Sequence, residues 1–313
     1  MLLYVLRRIL ATIPVMGVVA LFVFLLLHLS PGDPAAVIAG DYATPADIAR
    51  IRAQLGLDRP LYIQFFSWLG RVLTGDLGTS IFSDLPVSYL IGQRLEPTIA
   101  LSVLTMLITV VVAVPLGVVA AWKAGTWLDR SIMILAVCGF SIPVFVLAYG
   151  MVFVFSMELQ WLPVQGYKPI NEGLIPFLRS LTLPSIALSA FLIALVTRIT
   201  RASLLEILDE DYIRTARAKG ITERKVLMLH ALRNAAVPIV TILGIGVAFL
   251  LGGVVVTESV FNIPGVGRLV VDAILKRDYP IIQGLILAFS GVYILINLLI
   301  DLTYTFLDPR IRL

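Results

Sequence analysis

Long apolar runs decide what this chain can fold into. Six stretches, Ile9 to Leu27, Thr98 to Trp122, Ser131 to Met157, Ser180 to Thr197, Asn234 to Thr257 and Ile281 to Ile300, reach or approach the roughly 20 residues a helix needs to cross the hydrocarbon core. Charged or turn residues close each run. Lipid offers a backbone no hydrogen-bond partner, so helices must fill these spans. A β-barrel would need ten-residue alternating segments, which the sequence lacks. The chain is 59% hydrophobic and 14% charged, a balance that would leave a soluble domain with uncovered apolar surface. The expected fold is therefore an all-α integral membrane protein. Six transmembrane helices make residues 1–313 a single transmembrane domain.

Six crossings put both termini on one side, and basic residues choose the side. Arg7, Arg8, Lys123, Arg130, the eight bases between Arg198 and Arg233, Arg310 and Arg312 fall in one set of segments. Lys168, Arg179, Arg268, Lys276 and Arg277 fall in the other. The bias predicts cytoplasmic termini. Arg7 and Arg8 before an apolar run suggest a signal peptide, but the run is 19 residues long and no clear A-x-A site follows, so it reads as an uncleaved first span.

Residues 30–97 then form an extracytoplasmic loop with its own helices. Thr44 caps and Pro45 opens the first, with Ile48, Ile51 and Leu55 on one face. "PLYIQFFSWLGRVL" is the second, ended by Gly75.

The other unusual segment is residues 198–235, which the orientation places in the cytoplasm. Asp209, Glu210 and Asp211 suit a helix N-terminus. Good helix formers follow to Lys219, and Gly220 can take a positive φ and end the helix. Thr222 caps a second helix running to about Asn234. The expectation is two helices joined by a tight elbow. Eight bases and five acids alternate here, a mixed surface that suits a protein partner better than anionic lipid.

Chemistry is hard to place elsewhere. There is no G-x-x-x-x-G-K-[ST], no H-E-x-x-H and no G-x-S-x-G. Cys138 stands alone, and His28 and His230 lie far apart in the chain. The chain is read as a non-enzyme, with no cofactor and no metal of its own. Thr98, Ser102, Thr105 and Thr109 fall on one face of the second span, and Ser290 and Asn297, with Tyr293 and Asp301 near, on the sixth. These stripes either line a water-filled translocation path or pack helices together. Gly244, Ala248, Gly252 and Gly253 read as a close-packing stripe, and Pro115 and Pro143 as kinks.

"YIRTARAKG" followed by "ALRNAAVPIV" resembles the cytoplasmic coupling loop of ABC-importer permeases. The chain is similar in particular to the first-subunit form of the dipeptide/oligopeptide/nickel permease family. "RRIL" with "PGDP", "LGLDRPLYIQF" with "GDLGTS", "TESVFNIPGVGR", "RDYP" and "DPRIR" follow in the family's order. The general importer pattern is Glu-Ala-Ala-x-x-x-Gly. Aligned on Gly220, Ala216 matches, while Arg214 and Thr215 depart, as the peptide-type branch usually does. The leucine-proline downstream is displaced to Val237 and Pro238.

The resemblance implies the type I ABC importer permease architecture and a place in the bacterial cytoplasmic (inner) membrane. It also implies partners: a second homologous permease, two ABC ATPase subunits carrying the ATP and Mg, an extracytoplasmic substrate-binding protein, and surrounding lipid, but no nucleic acid. The implied cargo is a dipeptide or oligopeptide, with a nickel chelate or glutathione as alternatives. Arg214, Thr215, Ala216, Arg217, Lys219 and Gly220 would form the ATPase-coupling segment. Ala216 and Gly220 are small, lie four apart and suit close approach, while the three bases suit acidic or carbonyl groups. Two other classes remain on residues alone. A secondary transporter would place ionisable groups at mid-membrane, and a channel would assemble rings of pore-lining groups.

Overall fold

The computed structural model describes residues 2–29, 35–36, 44–54 and 57–307. In chain order the helices are α1 (Leu2–Leu29), α2 (Pro45–Gln54), α3 (Leu61–Leu73), α4 (Val87–Trp122), α5 (Trp127–Ser141), α6 (Val144–Met151), α7 (Leu174–Leu208), α8 (Asp211–Ala218), α9 (residues 223–234), α10 (Ala236–Val260), α11 (Val266–Lys276) and α12 (Tyr279–Leu307). Five helices, α1, α4, α7, α10 and α12, are each long and apolar enough to cross a membrane. The chain folds as two units, residues 1–95 with 269–295, and residues 96–268 with 296–313.

In the first unit, Ala20 and Val23 of α1 pack with Leu287, and Trp68, Leu69, Val72 and Leu77 close over them. Gln283 Nε2 donates to the Val23 carbonyl at 3.1 Å, so a buried amide finds a backbone partner. Asp278, buried, accepts from the Ser80 hydroxyl (2.6 Å) and the Ile81 amide (3.3 Å). The two helices expected between the first and second spans form. The Thr44 carbonyl accepts from Ile48 N ahead of Pro45. α3 ends where Gly75 takes φ +85° and the Asp76 amide reaches back to the Arg71 carbonyl. Ile51 and Leu55 lie outside the described side chains.

In the second unit α7 is the central element. Its Ala187, Ser185, Ser189 and Ala194 are buried, because small side chains let neighbouring helices approach. A Cβ on Gly139 of α5 would stand 3.2 Å from the Ala190 carbonyl. One on Gly117 of α4 would stand 2.5 Å from Thr200 Cβ, and one on Gly253 of α10 2.7 Å from Leu188 Cδ1. Phe140, Phe191 and Phe249 stack in sequence, at 4.8 and 4.3 Å, across α5, α7 and α10. Gly244 closes against Ile300, but nothing lies within 4 Å of a Cβ on Gly252, so Gly252 is not part of the packing stripe expected there.

The third span departs from the single helix drawn over Ser131 to Met157. It is α5 and a second piece, α6 continued by a π stretch (Val152–Glu158), bent by 101°. Pro143 supplies no N–H and forces Ile142 into extended backbone (ψ 121°). Pro115, by contrast, sits inside an unbroken α4.

Counted as one span, the two pieces bring the crossings to six. Near one end Asp129 of α5 pairs with Arg201 of α7. Beyond the other, the Trp161 carbonyl accepts from Arg179, at the opposite end of α7. The two arginines lie 22 residues apart on one helix, about 33 Å at 1.5 Å per residue, the thickness of a hydrocarbon core. Trp127 and Trp161 lie exposed at the two levels, as interfacial aromatics do.

Gly265 bends the chain after the fifth span, and Val266 opens α11. The sequence shows no long apolar run over this amphipathic helix, because its charged residues interrupt the apolar pattern.

Candidate functional site

α7 does not stop at Thr197. It runs on to Leu208, so the basic segment begins on a helix continuous with the fourth span. Asp209 ends α7, and Glu210 and Asp211 begin α8. Gly220 takes φ +76° and turns the chain, with its amide bonded to the Arg217 carbonyl (2.9 Å). Thr222 stands at the next helix start through its carbonyl, which accepts from Lys225 (2.8 Å) and Val226 (3.0 Å). Its side chain makes no capping bond, unlike the cap expected. α9 then runs as a short α-turn, a π stretch (Val226–Ala231) and Leu232–Asn234 into α10.

The elbow is seated on its own core. Ala121 of α4, Leu204 of α7, Ile213 and Ala216 of α8, Val226 and Ala231 of α9, and Ile239 of α10 form one buried cluster. The elbow therefore shares one core with the ends of the second, fourth and fifth spans. This corrects one expectation. Ala216 does not share an outward face with Gly220. It faces inward with Ile213, three residues earlier on the same side of the helix, and its small size serves internal packing.

Arg214, Thr215, Arg217, Lys219 and Gly220 are exposed. Arg214 pairs with Asp211 one turn back (3.2 Å). Arg217 spans the turn and holds Glu223 at two points, Nη2 to Oε1 at 2.8 Å and Nε to Oε2 at 3.2 Å. The hydrogen bonds it donates to Glu223 hold the Arg217 pKa above the ordinary arginine value, so it stays charged. Asn234 Nδ2, bonded to the Tyr212 hydroxyl (2.8 Å), ties α8 to the end of α9. The Arg217–Glu223 clasp was missed in the sequence because the two residues lie six apart across a bend, outside helical spacing.

The polar stripe of α4 is mostly internal. Thr98 Oγ1 donates to Glu258 Oε1 (2.5 Å) and accepts from the Val266 amide (2.8 Å). Ser102 is half-buried. Thr105 and Thr109 have no exposed surface; Thr109 bonds the Thr105 carbonyl (2.8 Å), while the Thr105 hydroxyl is buried without a hydrogen bond. On α12, Ser290 is half-buried and Asn297 exposed, and the side chain of Asp301 lies outside the described residues.

Glu258 is the polar residue the sequence left without a role. Fully buried, it accepts from Thr98 and, through Oε2, from the Arg268 amide (3.0 Å), so it fastens the turn after the fifth span. Gly265 lies so close that any Cβ there would overlap the carboxylate. The signal was present as an acid closing an apolar run, with Gly265 in the turn that follows and Gly267 at the start of α11.

At the other end of α7 a cleft of about 500 Å³ opens between Gln160, Gln165, Lys168, Ile175 and Arg179. Tyr167 at its wall donates to Glu96 (2.9 Å), and burial together with that bond pushes its phenol pKa up.

Comparison with known proteins places this geometry. Residues 113–313 match the family described as binding-protein-dependent transport system inner membrane component, and residues 1–102 match the N-terminal region of such membrane components. The chain is 55% identical over 309 residues to a probable peptide ABC transporter permease of Sinorhizobium fredii, covering 99% of each. It is 46% identical to a putative peptide transport system permease of Brucella abortus, covering 98% of each. It is also 46% identical to a glutathione transport system permease of Salmonella choleraesuis, covering 100% of this chain and 99% of that one. In fold it is similar to a chain of the inward-facing MetNI methionine ABC transporter (TM-score 0.60, 18% identity, 70% of this chain and 97% of that one). The chain belongs to the family of binding-protein-dependent transport system inner membrane components.

Proposed function

We propose that this permease imports peptides, and that the elbow of residues 211–234 is where ATP-driven motion enters it. The observation that carries the reading is the elbow's construction: an exposed polar rim around Gly220 on a core shared with three spans. In this mechanism each of two ATPase subunits holds one elbow, from this chain and from a second homologous permease. ATP and Mg bind in those subunits, and closure of the ATPase dimer draws the elbows together. The shared core passes the motion to the second, fourth and fifth spans, so the cavity between the permeases changes its side of access. The 22-residue separation of Arg179 and Arg201 supports counting the bent third span as one crossing, and with six crossings the basic bias puts both termini in the cytoplasm.

A binding protein delivers the cargo on the face carrying the outer cleft. Ser102, Ser290 and Asn297, which keep exposed surface, belong to the translocation path, while Thr98 ties α4 to the turn after α10 and Thr105 and Thr109 are buried inside the fold. The chain performs no covalent chemistry. Relatives named for peptide transport and for glutathione transport favour a peptide-backbone cargo, glutathione being itself a small peptide. The test is uptake of labelled di- and oligopeptides, glutathione and a nickel chelate by the full importer in proteoliposomes with its binding protein. Saturable, ATP-dependent uptake of a peptide supports the reading; uptake of the nickel chelate alone overturns it.

A further inference from the structure

We infer that α3, in the loop after the first span, lies in the outer boundary of the bilayer and presents a row of Tyr62, Phe66 and Leu73 to lipid. One face of α3 packs on its own unit: Phe65 and Trp68 stack on Phe24 of α1, with ring centroids at 5.4 and 5.8 Å. Gln64 Oε1 accepts from His28 Nε2 (3.1 Å) in the tautomer that protonates that nitrogen, and Gln64 Nε2 donates to the Leu57 carbonyl (3.1 Å). These contacts fix the depth of α3. Phe24 lies five residues before Leu29, where α1 ends, about 7.5 Å along the axis. An amphipathic helix resting in the interface sits ~5–10 Å into the headgroup and acyl boundary.

The remaining faces of α3 sort in the way such a position demands. At 100° per residue, Tyr62, Leu73 and Phe66 fall within one narrow sector flanking the packed face. They are 65%, 79% and 66% exposed. Ser67, Gly70 and Arg71, with Ile63 among them, take the next sector, where headgroups and water lie. The span that α3 packs on carries an apolar exterior of its own, since Val18, Leu21 and Phe22 of α1 are exposed. Aromatic rings with one polar tip, such as Tyr62, are enriched at this depth. Lipid is therefore the occupant that satisfies the whole row, and α3 braces the outer end of the first span against the membrane surface.

Spin-label accessibility tests this in the assembled importer in phosphatidylcholine–phosphatidylglycerol nanodiscs. With the exposed Cys138 replaced by Ser, single cysteines at 62, 66, 67, 71 and 73 carry a nitroxide. Power saturation then compares oxygen, which partitions into lipid, with a water-soluble nickel chelate. The expected result is an oxygen-to-chelate ratio severalfold higher at 62, 66 and 73 than at 67 and 71. A ratio favouring the chelate at 62 and 66 overturns the inference, because the row then faces water. Low access to both reagents at those positions also overturns it, because protein then covers the row. If a label at 66 disturbs folding, positions 62 and 73 report the same row. The outcome does not depend on the cargo or on the ATPases, so it stands or falls apart from the transport reading.

Discussion

Arg201 grips Asp129 at two points, Nε to Oδ1 at 2.6 Å and Nη2 to Oδ2 at 2.7 Å, and so joins the fourth span to the start of the third. Asp129 is 3% exposed and also accepts from the Gly125 amide at 2.9 Å, which fixes the turn between α4 and α5. Asp129→Asn keeps the shape but strips the charge facing the guanidinium. Arg201 retains some contact with solvent, so the loss is smaller than for a fully buried pair, about 1–3 kcal/mol. The thermal midpoint of the detergent-purified importer should fall clearly in this variant. Arg201→Lys should fall between, since a lysine lacks the fork. An unchanged midpoint in both would show that the pair contributes little.

The bend at Pro143 makes the topology testable. If the third span crosses once, the chain crosses six times and its ends share a side. If the bent pair turned back, five crossings would separate them. With Cys138 replaced by Ser, Leu3→Cys and Arg312→Cys should both resist a membrane-impermeant maleimide in sealed spheroplasts and react after permeabilisation. Labelling of one end only, from outside, would show that the pair is re-entrant.

Much of this was legible in the sequence, and the failures share causes. Apolar runs located the helices because lipid enforces a simple rule on the backbone. Gly220 and Gly75 were readable as turns because glycine takes positive φ without steric cost, and both adopt it. Residues that act through tertiary partners were not readable. Glu258 closes an apolar run and looked like a boundary, yet it is buried on Thr98 and the Arg268 amide. Ala216 looked like a docking residue because small residues serve inward and outward packing equally, and only the neighbours decide which. Pro143 and Pro115 have the same chemistry; one breaks its span and the other does not.

The Glu258 fastening gives a further expectation. Gly265→Ala pushes a methyl into the carboxylate, and Glu258→Ala leaves the Thr98 hydroxyl and the Arg268 amide without this partner. Each should cost about 1–3 kcal/mol, by overpacking in one case and by unsatisfied donors in the other. Because the two act on one fastening, the double variant should be less destabilised than the sum of the singles. Chemical-denaturation midpoints of the purified importer measure this. Additive losses would mean that the two residues act independently.

Gly220 and Ala216 stand four residues apart and should fail in opposite ways. A Cβ on Gly220 meets nothing within 4 Å, so a larger side chain there costs only backbone strain, about 1 kcal/mol at φ +76°. Gly220→Trp should therefore leave membrane insertion and abundance near normal. Its side chain would project from the exposed turn, on the rim assigned to the ATPase. Cargo-stimulated ATP hydrolysis and uptake should then fall together, and the ATPases should co-purify poorly. Ala216 faces the core formed with Leu204, Val226 and Ala231, where the added volume has no outlet. Overpacking a close-packed core typically costs 1–3 kcal/mol and more for so large a change, so Ala216→Trp should lower abundance and thermal stability before any transport is measured. Immunoblots of membranes, thermal midpoints and paired hydrolysis and uptake rates separate the two effects. If Gly220→Trp hydrolyses, transports and co-purifies like the parent, the elbow is not the coupling element, and its charged rim rests on anionic lipid instead.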